Sequence, residues 1–140
     1  MDNKALKNPG GDFLPFAETA VRTLYSKKAS NIRMYRLGED SVIADCYIIC
    51  TGRSGTHVRS LADALEEEFE KIGRHPLRTE GKSGSSWLLC DYGDVIVHIF
   101  DRESREFYDL DRLMPTDGAI DIKYITDKVK EEISAEKVEK

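Results

Sequence analysis

The sequence is poor in the residues that make a small protein chemically conspicuous. It has three cysteines, Cys46, Cys50 and Cys90, an odd number without a Cys-x-x-Cys pair. That fits a reducing cytoplasm better than a disulfide framework. Cys46 and Cys50 lie four apart on an expected strand, so about 13 Å separates their Cα atoms and they cannot share a metal locally. The three histidines, His57, His75 and His98, lack the close spacing of metal ligands. The longest apolar run, around Tyr47 to Cys50, is far too short to span a bilayer. No charged-then-apolar leader opens the chain, so no secretion signal is expected. Neither a Walker A loop nor a Gly-x-Gly-x-x-Gly element is present, and there are no internal repeats.

Charge is present but unevenly spread. Of the 140 residues, 1–60 carry nine Lys/Arg against six Asp/Glu, and 61–140 carry twelve against twenty, for a net charge of −5. This argues against broad, unspecific nucleic-acid binding, which needs many phosphate-neutralising cations. An acidic second half suits a basic partner, and a solvated surface accounts for it equally well.

The densest stretch is Ser86 to Asp101. It reads as two strands, Ser86–Asp91 and Asp94–Asp101, joined at Tyr92-Gly93, where glycine supplies the positive φ of a tight turn. The second strand is apolar on both faces (Val95, Val97, Ile99; Ile96, His98, Phe100), as expected of a central strand covered on both sides. Upstream, the pattern predicts a helix from a cap at Asp12 to about Lys28, with Phe16, Ala20 and Leu24 on one side. A strand over Asn31–Leu37 and another over Asp45–Thr51 follow. A second helix runs from a cap at Ser54 or Thr56 to about Ile72, with Val58, Leu61, Ala62, Leu65 and Phe69 at helical spacing. Gly73 ends it. Pro76–Thr79 reads as a short strand, Glu80–Ser85 as a polar loop, and Glu103–Asp109 as a short helix or turn. The tail from Ala119 reads either as a weak amphipathic helix or as disorder. This order predicts an α/β (α+β) domain over 12–115 with a mixed, roughly five-stranded sheet, after a loose lead-in at 1–11 and before a charged tail at 116–140.

Candidate chemistry is sparse. The Thr51–Thr56 junction could hold a phosphate on backbone N–H groups with help from Arg53, but Gly and Ser there are also what a turn and helix cap require. Asp91 with Asp94 flanks a turn, where Asp is common for turn geometry alone. Asp109 with Asp111 has no evident His or Lys partner. A Ser54–His57 dyad would need a positioned third group. Nothing here demands an enzyme, a metal or another cofactor. Trp87, Tyr92, Phe100, Phe107 and Tyr108 form an aromatic cluster. Core is the preferred reading for Phe100, whereas Trp87 near a loop and Tyr92 at a turn tip suit core or interface equally.

Several segments together resemble a known family. Asp45-Cys-Tyr-Ile-Ile-Cys-Thr-Gly-Arg-Ser, His57-Val, Glu80-Gly, Trp87-Leu-Leu-Cys-Asp-Tyr-Gly-Asp-Val-Ile-Val-His98 and Arg105-Glu-Phe-Tyr-Asp-Leu are similar, in order from about Phe13 to Met114, to the Iojap-like ribosomal silencing factors of bacteria and organelles. The resemblance implies a domain similar in fold to nucleotidyltransferases but without their activity. It implies binding to the large ribosomal subunit through a ribosomal protein on its intersubunit face, which hinders joining of the small subunit and damps translation. Matched position by position, it nominates Trp87, Leu88, Asp91, Tyr92, Arg105 and Tyr108, with Leu110 and Leu113 beside them, as partner contacts. Departures are Leu110-Asp111 and Leu113-Met114, where the family usually has Leu-Glu and Leu-Trp, and Ala44 in place of a frequent Thr. A methionine still fills an apolar pocket. A nucleotide- or phosphate-binding enzyme is the alternative, and a homodimer through the same sheet surface is a third reading compatible with the first. A cytoplasmic location is expected, with neither membrane association nor sequence-specific nucleic-acid binding.

Overall fold

The computed structural model describes residues 12–139 except 82, 83 and 85. The expected lead-in at 1–11 and part of the expected 80–85 loop lie outside the described residues. The elements run α1 (Leu14–Ser26), β1 (Ser30–Arg36), β2 (Cys46–Gly52), α2 (Gly55–Glu70), β3 (Arg78–Glu80), β4 (Trp87–Asp91), β5 (Val95–Asp101), α3 (Arg102–Tyr108), a 3-10 turn (Leu110–Leu113), β6 (Ala119–Ile120) and α4 (Lys123–Glu139).

The strands form one mixed sheet of order β3-β4-β5-β2-β1-β6. β2 and β5 pair in parallel, from Cys46 opposite Val95 to Gly52 opposite Asp101, and the other pairings are antiparallel. β5 is therefore central, as its two apolar faces predict, and every residue from Val95 to Phe100 is buried. The sheet has six strands where about five were expected. The sixth is two residues long, and only its pairing with Met34 and Tyr35 on β1 makes it a strand.

Strand alternation divides the side chains between two environments. Met34, Cys46, Ile48, Cys50, Leu88, Cys90, Val95, Val97 and Ile99 belong to the core that α1 and α2 cover with Phe16, Ala20, Val21, Leu24, Val58, Leu61, Leu65 and Phe69. Ser54 caps α2, its hydroxyl accepting from the His57 N–H at 3.1 Å. α1 is not capped by Asp12. Its N-cap is Phe13, without a side-chain hydrogen bond, and Pro15 in the first turn has no N–H to satisfy. Of the two readings of the tail, helix or disorder, the structure shows the helix: α4 lies against α1, with Ile125 and Val129 buried. Tyr124 donates to Glu18 and Arg22 pairs with Glu132 across that contact. Among the described residues, no helix is long and apolar enough to cross a membrane.

The β4–β5 turn sits one residue later than the sequence suggests. The Tyr92 N–H donates to the Val95 carbonyl at 2.9 Å, which leaves Gly93 and Asp94 as the turn residues, with Gly93 at φ +95°. Tyr92 thus continues the strand's alternation after Leu88 and Cys90 and faces the helices. Its ring packs edge-on against Phe16 (5.4 Å between centroids) and Phe69 (4.8 Å), which stack on each other at 4.0 Å. Aromatic pairs of this kind are worth about 0.5–1.5 kcal/mol each beyond burial.

Candidate partner-binding face

The sheet's second face carries Trp87, Leu89 and Asp91 from β4, Ile96, His98 and Phe100 from β5, Tyr47, Ile49 and Thr51 from β2, and Arg33 and Tyr35 from β1, opposite one another in the registers Trp87–Phe100, Leu89–His98, Tyr47–Ile96 and Tyr35–Tyr47. α1, α2 and α4 all lie on the other side. On this side, among the described residues, α3 and the 3-10 turn lie at the end where β2 and β5 finish. α3 begins where β5 stops, because Asp101 caps it by accepting from the Ser104 N–H at 2.8 Å.

An aromatic row crosses this face. Trp87 packs on Phe100 (4.8 Å), His98 (5.9 Å) and Tyr108 (4.7 Å), His98 lies 4.5 Å from Tyr47, and Phe107 meets Tyr108 edge-on. The Trp87 indole N–H donates to His98 Nδ1 at 3.1 Å, which makes His98 a neutral ring carrying its proton on Nε2. His98 is only 3% exposed, and its Nε2 has no hydrogen-bond partner among the described residues. Burial pushes its pKa down to about 4. Trp87 is half-buried, Phe107 is 79% exposed and Leu113 71%. The centre of the face (Ile49, Ile96, His98 and Phe100) is itself buried, and large apolar side chains this open at its border are the usual raw material of an interface.

A polar clamp fixes the segment that carries these residues. Arg105 is buried and forks onto Asp111, Nε to Oδ1 at 2.8 Å and Nη2 to Oδ2 at 3.1 Å. Its Nη1 donates to the Asn31 carbonyl and to Thr51 Oγ1, both at 2.9 Å. Tyr35 closes the network by donating to Asp111 Oδ2 at 2.7 Å. Burial alone would raise the Asp111 pKa, but the hydrogen bonds from Arg105 and Tyr35 outweigh it and hold the carboxyl below its usual range. Tyr35 is pushed up to about 12 by burial and by that carboxylate. Asp109, at φ +49°, lets the chain turn from α3 into the 3-10 turn so that Asp111 comes back under Arg105.

The eight residues nominated from sequence therefore separate. Trp87, Tyr108, Leu110 and Leu113 lie on or around the open face. Asp91 lies at its margin, accepting from the Gly93 N–H at 2.9 Å and pairing with Arg78. Leu88 and Tyr92 are in the core beneath the helices and have no surface to offer a partner. Arg105 holds the site together from below. Strand alternation explains the first correction: Trp87 and Leu88 are adjacent, so they point to opposite faces. Tyr47, Leu89 and Phe107 share the open face and were not nominated. The parallel β2–β5 register that brings Tyr47 beside His98 leaves no local signal, whereas the alternation of Trp87 with Leu89 was available.

The Thr51–Thr56 junction is committed internally. The Arg53 N–H donates to His57 Nδ1, and His57 Nε2 donates to the Lys27 carbonyl, each at 2.9 Å. Both ring nitrogens of His57 are thereby used, and the Ser54 hydroxyl is the helix cap, so neither a Ser–His dyad nor a phosphate loop is assembled there. Asp94 is buried and paired with Arg74 at 2.9 Å. Burial pushes the Cys46 and Cys50 thiols up to about 12, far from the thiolate that reactivity requires. No group of three His, Cys, Asp or Glu side chains among the described residues is placed to hold a metal.

The chain is thus a helix-backed mixed sheet with an aromatic row along its second face. Comparison with known proteins gives its kind. The family described as "Ribosomal silencing factor during starvation" matches residues 12–140. The ribosomal silencing factor RsfS of Haemophilus influenzae is 37% identical over 100 residues, covering 71% of this chain and 98% of that protein. Its namesake from Halalkalibacterium halodurans is 34% identical over 96 residues, covering 69% and 82%. A crystal structure of a Chromobacterium violaceum protein superposes with a TM-score of 0.70 at 25% identity, covering 73% of this chain and 85% of that one. The chain belongs to the ribosomal silencing factor family, whose role is the silencing of translation at the ribosome.

Proposed function

We propose that this protein binds the large ribosomal subunit through a ribosomal protein on the intersubunit face, and that its bulk there prevents the small subunit from joining. The observation that carries this reading is the open sheet face around Trp87, bordered by Phe107, Tyr108 and Leu113. The contact is built from Trp87, Tyr108, Leu110 and Leu113, with Asp91 on the rim, where an acidic group meets a basic ribosomal protein. Leu88 and Tyr92 shape the sheet from behind, and Arg105 positions α3. The action is occupancy and steric exclusion without a chemical step, and the place of action is the cytoplasm. Self-association through the same face would compete with ribosome binding.

Purified protein sedimented with isolated large and small subunits, with subunit joining scored in the same gradients, tests the proposal. Pelleting with the large subunit alone, together with reduced joining, is expected. Folded protein that binds neither subunit at moderate salt refutes it.

A further inference from the structure

The helix side of the molecule holds a second feature at the same end of the sheet as the aromatic site. A cleft of about 640 Å³ opens between the end of α1, the β2–α2 junction and α4, and is lined by Tyr25, Ser26, Lys28, Arg53, Lys130 and Ser134 together with Ala29 and Ile133. Its polar lining is three cations and three hydroxyls, with no carboxylate, in a chain that has 26 acidic residues. Lys28, Arg53 and Lys130 are exposed, and none of them belongs to an ion pair among the described residues. The nearby Asp127 carboxylate is paired with Lys123 at 2.7 Å and feels Lys130 only through space. The adjoining cleft, which shares Arg53, has Lys27 beside four carboxylates, Asp63, Glu66, Glu67 and Glu70. A polyanion is thus attracted to one cleft and repelled from its neighbour.

The backbone that carries two of these cations is fixed by the fold. Arg53 projects from a turn whose backbone N–H is fixed on His57. Lys28 sits at φ +74° just past α1, its N–H bonded to the Tyr25 carbonyl at 3.0 Å. Three residues further on, the Asn31 carbonyl accepts from Arg105, and Gly52, next to Arg53, is paired with Asp101, the cap of α3. The cleft and the aromatic face are therefore two sides of one rigid end of the sheet.

We infer that Lys28, Arg53 and Lys130 form a second contact, to the phosphodiester backbone of ribosomal RNA, which neutralises about three phosphates while the sheet face holds a ribosomal protein. This rests on the ribosome-binding reading and adds a ligand class to it. The contact reads charge and spacing and has no base specificity. It makes part of the affinity depend on salt through counterion release, whereas the apolar contact at Trp87 is indifferent to salt.

The test measures affinity for isolated large subunits between 50 and 200 mM monovalent salt for three proteins: wild type, Trp87→Ala, and the triple variant Lys28→Asn/Arg53→Gln/Lys130→Gln. Asparagine is chosen at Lys28 because it tolerates positive φ. With three phosphates neutralised, the slope of log K against log salt is shallower by about 2 to 3 in the triple variant. Wild-type affinity then falls about 16- to 64-fold more than the variant's over this range. Trp87→Ala weakens binding at every salt and keeps the wild-type slope. A triple variant with the wild-type slope overturns the inference and leaves the sheet-face reading intact. An equal loss of slope on the RNA-free ribosomal protein makes the cleft a reader of protein carboxylates and overturns the RNA assignment. So does a melting-temperature rise with millimolar inorganic phosphate or ATP that the triple variant loses. Wild-type protein that binds large subunits at no salt concentration refutes both readings.

Discussion

His98 ties the protein's stability to pH in a way that can be calculated. Its ring is neutral in the fold, with Nδ1 occupied by the Trp87 N–H, and its pKa is about 4, against about 6.5 in an unfolded chain. Between these values the unfolded chain binds a proton that the native one does not, so stability rises with pH across the window. The contribution is complete above pH 6.5 and is lost progressively as pH falls towards 4. Integrated from pH 7.5 to 4.5, His98 alone removes roughly 2–3 kcal/mol. Carboxylates titrate in the same range, so the measurement is a difference: urea unfolding of wild type and His98→Gln at both pH values. Glutamine is neutral and keeps an acceptor for Trp87. The mutant is expected to lose roughly 2–3 kcal/mol less than wild type on acidification, and the wild type's extra loss should follow a single proton uptake. Parallel pH profiles would refute the argument and mean that the ring is solvated or already paired at Nε2. Because Trp87 leans on His98, the same acid range should also loosen the aromatic face.

Other substitutions separate support from contact. Leu113→Ala, with its side chain in water, should change stability by less than about 0.5 kcal/mol yet weaken large-subunit binding by more than about 1 kcal/mol. Leu88→Ala should cost about 2–5 kcal/mol in urea unfolding and leave the affinity of the folded fraction unchanged. Arg105→Met leaves Asp111 with Tyr35 alone and the Asn31 carbonyl and Thr51 hydroxyl without their donor, and a loss of about 3 kcal/mol is expected by chemical denaturation. A loss under about 1 kcal/mol would mean that the clamp does not hold α3. Ile125→Ala should destabilise by about 2 kcal/mol or more if α4 is integral to the domain, whereas a frayed tail would show no change.

How much of this was legible in advance depends on the range of the interaction. β5 announced its central position because burial on both faces writes itself into consecutive residues. α2 announced its cap and its stop because both lie within one helical turn of the ends. β6 could not be read: two residues between polar neighbours carry no period, and only Met34 and Tyr35, more than eighty residues earlier, complete the ladder. The Arg105–Asp111–Tyr35–Thr51 clamp was invisible for the same reason, and so Arg105 was nominated as a partner contact. Tyr92 shows a finer failure, since a turn displaced by one residue exchanges the faces of everything it carries. α4 has only weakly segregated apolar positions, and it is the groove beside α1 that gives Ile125 and Val129 something to bury against.

The parallel pairing of β2 with β5 has a consequence for the chain's own synthesis. β1 can close on β2 as soon as both have left the ribosome, but the other edge of β2 has no partner until Val95–Asp101 follow, 49 residues after Cys46–Gly52. At roughly 5–20 residues per second, that edge stays open for roughly 2–10 s in every molecule made. Its side chains are Cys, Tyr, Ile, Ile and Cys, with no charge to repel a neighbouring nascent chain. The centre of the finished sheet is thus the most adhesive part of the unfinished one, and faster elongation through residues 53–101 shortens the interval in which it can pair wrongly.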